Sequence, residues 1–391
     1  MNLSTSDAEL SFADTMLQQG GQISSKLDML RLETFPPSAQ KTLRRFSLNE
    51  VAHFVGVSTS YLKKLHLQGK GAEPSVTPTG RRYYTADQMN EVRALLGRSP
   101  RRKEGDKLQV LAVVNFKGGS GKTTTAAHLA QYLALKGYRV LAVDLDPQGS
   151  LTALYGIQPE LDESPSFYET LRYDEHRKSV TEVIQKTNVP GLDIVPANLE
   201  LQEYEFETPI AMHQVDPTQG RTFYTRIASA LAEVDDQYDV VIVDCPPQLG
   251  YLTLTALAAA TSVLITIHPQ MLDIMSMSQF LLMLGEVLKS IEQAGVTVSL
   301  DWFRYLVTRY EPGDIPQQQM VGFMQSMLAQ QMLKNPMVKS TAISDAGLTK
   351  QTLYEVERSA FTPTTYDRAR ESLDAVNGEV VELINDVWGR K

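Results

Sequence analysis

Cysteine is almost absent from this chain of 391 residues, in which Cys245 stands alone. One thiol cannot build a disulfide framework, a cysteine-ligated zinc site or an iron–sulfur cluster within one chain, and the natural compartment is the cytosol. The six histidines show no ligand spacing, so none is expected to hold a metal. Also missing is the basic start and apolar core of an export signal, since Asp7, Glu9 and Asp14 fall within the first thirty residues. The most apolar stretch, 252–267, is about four residues short of a membrane span. Thr253, Thr255, Thr261 and Ser262 interrupt it, and it reads as a core helix entering a buried strand. No membrane partner is expected. With 42% hydrophobic and 21% charged residues the chain is a folded one, long enough for two or three units.

The net charge of −9 argues against a nucleic-acid partner until it is divided along the chain. Residues 41–107 carry 14 Lys or Arg against six Asp or Glu, a local +8 that leaves −17 elsewhere. Such asymmetry hints at a nucleic-acid-binding module joined to a different machine. Ahead of it, Leu10, Phe12, Met16, Leu17, Ile23, Leu27 and Leu30 recur at helical spacing over residues 6–32. Gly20-Gly21 is expected to weaken or break this helix midway, and Pro36-Pro37 to end it. Residues 1–37 therefore read as a dimerisation or docking segment.

Residues 48–65 (LNEVAHFVGVSTSYLKKL) read as two short helices around a turn at Gly56, with Val51, Val55, Val57, Leu62 and Leu65 facing a shared core. Ser58 or Thr59 can cap the second helix, and Thr59, Ser60 and Lys64 could reach base edges. Gly80-Arg81-Arg82-Tyr83-Tyr84 looks like a basic hairpin tip before an amphipathic helix over 86–96. The arrangement resembles the winged helix-turn-helix of MerR-type regulators. Over 38–106 it implies DNA binding by Ser58, Thr59, Ser60, Lys63, Lys64, Arg81 and Arg82, with a basic linker at 98–103.

The strongest signal follows. An apolar run, 108–115, enters Lys117-Gly118-Gly119-Ser120-Gly121-Lys122-Thr123-Thr124 and then a helix-forming run, 126–136. Strand, glycine loop and helix are what a phosphate cradle requires: inward N–H groups and the positive end of a helix meet the phosphates. Lys122 is expected on the β- and γ-phosphates and the Thr123 hydroxyl on Mg²⁺. The other loop residues, Gly118 to Thr124, complete the cradle.

The early Lys117 and compressed glycine spacing resemble the deviant Walker A motif of the ParA/MinD group of P-loop ATPases. That resemblance implies an ATP/ADP site with Mg²⁺ in a doubly wound, mostly parallel α/β domain over 107–391. It implies that Lys117 reaches the partner's phosphates across a nucleotide-sandwich homodimer. Val143-Asp144-Leu145-Asp146-Pro147 resembles the family's second motif, in which Asp146 would position the attacking water and Asp144 support the metal. Asp244, ending the run 238–244, matches the Walker B aspartate, at a strand's carboxyl end where such folds bind ligands. Lys117, Lys122 and Asp146 are thus the expected catalytic set, and Thr123, Asp144 and Asp244 the metal set.

Three branches of the group differ in ways visible here. Iron proteins need cysteines that are missing. Membrane-anchored members end in a basic amphipathic helix, whereas Glu379, Glu382 and Asp386 stand among the terminal apolar residues, favouring a packed helix. The chain is most similar to the large plasmid-partition ATPases that carry a helix-turn-helix, and among them to the RepA partition proteins of repABC plasmids. The resemblance implies a cytoplasmic, nucleoid-associated bacterial protein whose ATP dimer binds DNA without sequence preference. A ParB-like centromere-binding partner then stimulates hydrolysis and releases it, and the apo or ADP form represses its own operon. Lys339, Lys350, Arg368 and Arg370 are candidates for the non-specific DNA surface. The alternatives are a nucleotide-sensing repressor and a MinD-like membrane-positioning ATPase.

Overall fold

The computed structural model describes residues 11–34, 41–158, 164–214, 220–293 and 299–390. They divide into two compact units, 1–42 and 43–391. In the first, α1 (Phe12–Thr34) is continuous, with the Asp14 N–H donating to the Ser11 hydroxyl at 3.1 Å near its start. The break expected at Gly20-Gly21 does not occur. Each glycine costs a helix about 1 kcal/mol relative to alanine, which weakens it without stopping it. The stop expected at Pro36-Pro37 lies outside the described residues.

The second unit opens with β1 (Phe46–Ser47), α2 (Leu48–Val55), α3 (Thr59–Leu67), β2 (Ser75–Val76), β3 (Arg82–Tyr84) and α4 (Ala86–Leu95). Ser47 and Glu50 form a reciprocal capping box on α2, and Ser58 caps α3 by accepting from Tyr61 N–H. Gly56 ends α2 at φ 74°, a left-handed turn that a side chain would strain. Val51, Ala52, Phe54, Val55, Leu62 and Leu65 are buried, as the helix-turn-helix pattern requires. β3 pairs antiparallel with both β1 and β2, so the expected wing is part of a three-stranded sheet.

A seven-stranded sheet follows in the order β10-β9-β4-β8-β5-β7-β6. Its strands are β4 (Gln109–Val114), β5 (Val140–Asp144), β6 (Gln185–Lys186), β7 (Leu192–Val195), β8 (Val240–Asp244), β9 (Ser262–Ile267) and β10 (Trp302–Val307). All neighbours are parallel except β6 with β7. β4, β5, β8 and β9 are buried along their whole length, which is why they read as unbroken apolar runs. The long strands end on one edge, where α5 (Lys122–Lys136) begins.

The C-terminal helix Pro363–Val387 buries Leu373, Val376, Val380 and Ile384. Glu379 accepts from the N–H groups of Lys334 and Asn335, so this acidic residue serves the fold. The helix Met271–Gln293 contains a segment, 271–289, that is long and apolar enough to cross a membrane by length and composition, and 22% of it is buried. Ile274, Met277, Phe280 and Leu284 are buried, whereas Met271, Leu272, Met275, Leu282 and Met283 are exposed.

The boundary expected at 106/107 lies inside the second unit. Phe54 of α2 meets the rings of Tyr132 and Tyr354 at 5.8 and 6.4 Å, and the Arg370 guanidinium lies 4.3 Å from the Tyr354 ring centre. Arg44 donates to Glu50 and to the Tyr354 carbonyl. Burial opposes charge on Glu50, but Arg44 and the Ser47 N–H outweigh it and hold the carboxyl at about 2.

Candidate nucleotide site and DNA surfaces

The loop between β4 and α5 is pinned by β9 and by the residues that follow β10. Asn115 donates to the Thr266 carbonyl and accepts from Lys117 N–H at 2.9 Å. The Thr308 hydroxyl donates to the Ser120 carbonyl at 2.7 Å, and the Arg309 guanidinium to the Gly119 carbonyl at 3.1 Å. Gly119 and Gly121 adopt φ of 75° and 86°, and a Cβ on Gly121 would touch Thr308 at 3.4 Å. Arg309 is itself left-handed at φ 51°, unusual for a non-glycine residue and a common mark of a site that constrains its backbone.

Gly119, Gly121, Thr308 and Arg309 border a cavity of about 450 Å³, which is also lined by Lys122, Thr123, Thr124, Asp146 and residues of the 337–344 segment. A larger depression of about 670 Å³ at 311–316 and Arg368 is more open and contains no loop residue. Chemistry favours the smaller one. Lys122 is buried, with its ammonium 3.3 Å from the Lys117 carbonyl. Burial lowers its pKa, opposed by Asp244 and Asp146.

The three aspartates differ. Asp146 lines the cavity and accepts from Gln148 N–H at 3.0 Å. Asp244 is fully buried and neither carboxylate oxygen has a hydrogen-bond partner. Burial, then the neighbouring Asp144, raises its pKa well above the usual carboxylate range, opposed by the Thr123 hydroxyl and by Lys122. Such an orphaned carboxylate beside a threonine hydroxyl fits a hard cation. Asp144 does not fit the metal role expected of it. One of its oxygens accepts from the Thr152 N–H and hydroxyl at 2.8 Å and the other from Asp146 N–H at 3.1 Å, so it braces the segment 146–152 that follows β5. Burial still lifts its carboxyl to about 7.

One further loop residue departs from expectation. The Ser120 side chain is buried and accepts from the Thr266 hydroxyl at 3.1 Å, so it braces the loop away from the cavity. The Lys117 ammonium turns outward to Asp273, which also pairs with His268 at 3.3 Å. The place of Thr308, Arg309 and the 337–344 segment at this cavity was not expected from the sequence, which offered Lys339 only for a DNA surface. Thr308-Arg309 directly follows β10, and the carboxyl-end rule that located Asp244 could have found it.

Residues 108–295 match the family model of an AAA domain. Replication protein A of Sinorhizobium fredii is 66% identical to the chain over 97% of its length and 96% of the relative's. The chain belongs to the ParA family of P-loop partition ATPases. A solved structure titled Partition Protein superposes on 96% of this ParA-family chain and 99% of its own, with a TM-score of 0.61 at 20% identity, which supports the fold. Cobyrinic acid a,c-diamide synthase from Mycobacterium smegmatis is 29% identical over 62% of the chain and 91% of its own, with a TM-score of 0.50. Its structure holds an ATP analogue and magnesium.

The expected DNA contacts of this ParA-family chain fall into three groups. Ser58, Ser60, Lys63, Lys64 and Arg81 are exposed on α3 and the wing, with Thr59 and Arg82 half-buried. Lys339 borders the nucleotide cavity and pairs with Glu311 at 2.9 Å, Arg368 is exposed, and Lys350 is half-buried with φ 52°. Arg370 does not belong to a DNA surface. It is buried, ion-paired with Asp374 and Glu50 and packed on Phe54 and Tyr354, so no phosphate can reach it in this fold.

Proposed function

We propose that this chain is an ATP-driven plasmid partition protein: an ATP-bound homodimer holds non-specific DNA, and a ParB-like centromere-binding partner releases it by stimulating hydrolysis. The apo or ADP form represses its own operon through α3 and the wing. The observation that carries this reading is the convergence of Lys122, Thr123 and Asp146 on one glycine-lined cavity, with the unpartnered Asp244 buried beside Lys122. Lys122 balances charge on the β- and γ-phosphates, and Asp146 orients water for attack on the γ-phosphorus. Mg²⁺ held by Thr123 and Asp244 would neutralise charge shared by the same phosphates. Lys117, exposed and outside its own cavity, supplies a cation to the second copy's nucleotide.

Lys122→Ala should abolish ATP binding with the circular dichroism spectrum unchanged, and tight ATP binding by that variant would remove the phosphate loop from the scheme. Asp146→Ala should bind ATP normally and hydrolyse it at least about 100-fold more slowly. Binding to random and upstream DNA is then measured with no nucleotide, ADP and ATP. ATP-dependent binding to random duplex is expected; its absence would leave a nucleotide-sensing repressor.

A further inference from the structure

Arg93 of α4 is a buried guanidinium, 3% exposed, and among the described residues no carboxylate pairs with it. Its neighbours are carbonyls at helix ends. Nη2 donates to the Leu135 carbonyl in the last turn of α5 at 2.7 Å and reaches the Phe54 carbonyl in the last turn of α2 at 3.5 Å. Nη1 donates to Asn90. A cation at two helix carboxyl ends replaces a counter-ion with two negative dipole ends. Burial, followed by nearby Arg101, lowers its pKa to about 10, so it remains charged at neutral pH.

The joint extends beyond one side chain. Gly137 caps α5 at φ 103°, and a Cβ there would lie 2.7 Å from the Arg93 side chain. The Lys136 ammonium reaches the His53 carbonyl of α2 at 3.5 Å, and Tyr132 packs on Phe54. At its other end, α5 begins with Lys122. Its 15 residues span about 22 Å, and twelve of them are buried. One rigid helix therefore has the phosphate cradle at its first turn and the helix-turn-helix at its last.

We propose that Arg93 is a positioning residue that fastens the DNA-binding module to the P-loop helix, so that nucleotide occupancy and DNA binding by α3 are energetically coupled through α5. This rests on the proposed function for the identity of both ligands. A phosphate at the positive end of α5 fixes that end; Arg93 carries the resulting placement of Leu135 to α2 and thus to α3. Coupling between two sites is reciprocal, so each ligand must change the other's affinity by the same factor.

The test uses the full chain, a duplex from immediately upstream of its own reading frame, a random duplex of equal length, ADP and a non-hydrolysable ATP analogue. In the wild type, nucleotide should change affinity for the upstream duplex by about five-fold or more, and the duplex should change nucleotide affinity by the same factor. Arg93→Met keeps the aliphatic stem but removes the donors. It should bind nucleotide in the absence of DNA within about two-fold of wild type while the coupling factor falls toward one. Arg93→Lys should fall between the two, because one ammonium replaces a planar fork. Full coupling in Arg93→Met overturns the proposal. Hydrogen exchange on the wild type supplies an arm independent of folding of the variants: nucleotide should alter amide exchange across 51–67, and unchanged exchange there also overturns it. Equal binding of upstream and random duplex in every nucleotide state would refute the DNA reading of α3, while the exchange arm would still decide the linkage.

Discussion

His128 lies nearly two turns into α5, and both ring nitrogens have fixed roles. Nδ1 donates to the Thr124 carbonyl at 2.7 Å and Nε2 accepts from Leu353 N–H at 3.1 Å, an arrangement only the neutral ring satisfies. Burial lowers its pKa from 6.5 to about 4. The unfolded chain therefore binds this proton first as pH falls. The stability is complete above about 6.5, is lost as pH falls toward 4, and amounts to about 3 kcal/mol. Urea midpoints should decline over that window, and His128→Gln should flatten the decline. Arg370 and Arg368 make a second comparison, two residues apart in sequence and opposite in environment. Arg370→Ala should cost about 3–5 kcal/mol in urea unfolding, because it leaves Asp374 and two ring faces without their cation. Arg368→Ala should fall within about 0.5 kcal/mol of wild type. Motif chemistry made Lys122, Asp146 and Asp244 legible in the sequence. Arg370 was misread because net basicity says nothing about which cation is buried.

At the level of elements, strands buried on both faces are almost self-announcing, and the apolar runs ending at Asn115, Asp244 and Ile267 coincide with β4, β8 and β9. Glycines carry less information. Gly20-Gly21 sit inside α1, and nothing lies within 4 Å of where their Cβ atoms would be, whereas Gly137 ends α5 under a buried arginine. The same residue type is tolerated in one place and required in the other, a distinction set by long-range packing. Gly137→Ala should lower the thermal midpoint through positive-φ strain and collision with Arg93, at a cost of about 1–3 kcal/mol. Gly20→Ala should raise the helicity of α1 measured by circular dichroism.

For the whole molecule, charge suggested two machines, while packing makes residues 43–391 one compact unit. Separate function and separate folding are different properties, and composition reports only the first. A chain starting at 107 would uncover Tyr132, Tyr354 and the last turn of α5 and strip Arg370 of Glu50. It should melt several degrees lower than the full chain and self-associate more readily in light scattering.

Cys245, the only thiol in the chain, is fully buried one residue beyond Asp244. Burial raises its pKa, and thiolate is the form that reacts. A thiol reagent can therefore attack only while this end of β8 is open, and the labelling rate counts openings beside the nucleotide cavity. The protein carries its own stopwatch, with one hand and no competing signal, readable in the unmodified chain by mass spectrometry. ATP or ADP in the cavity should slow it.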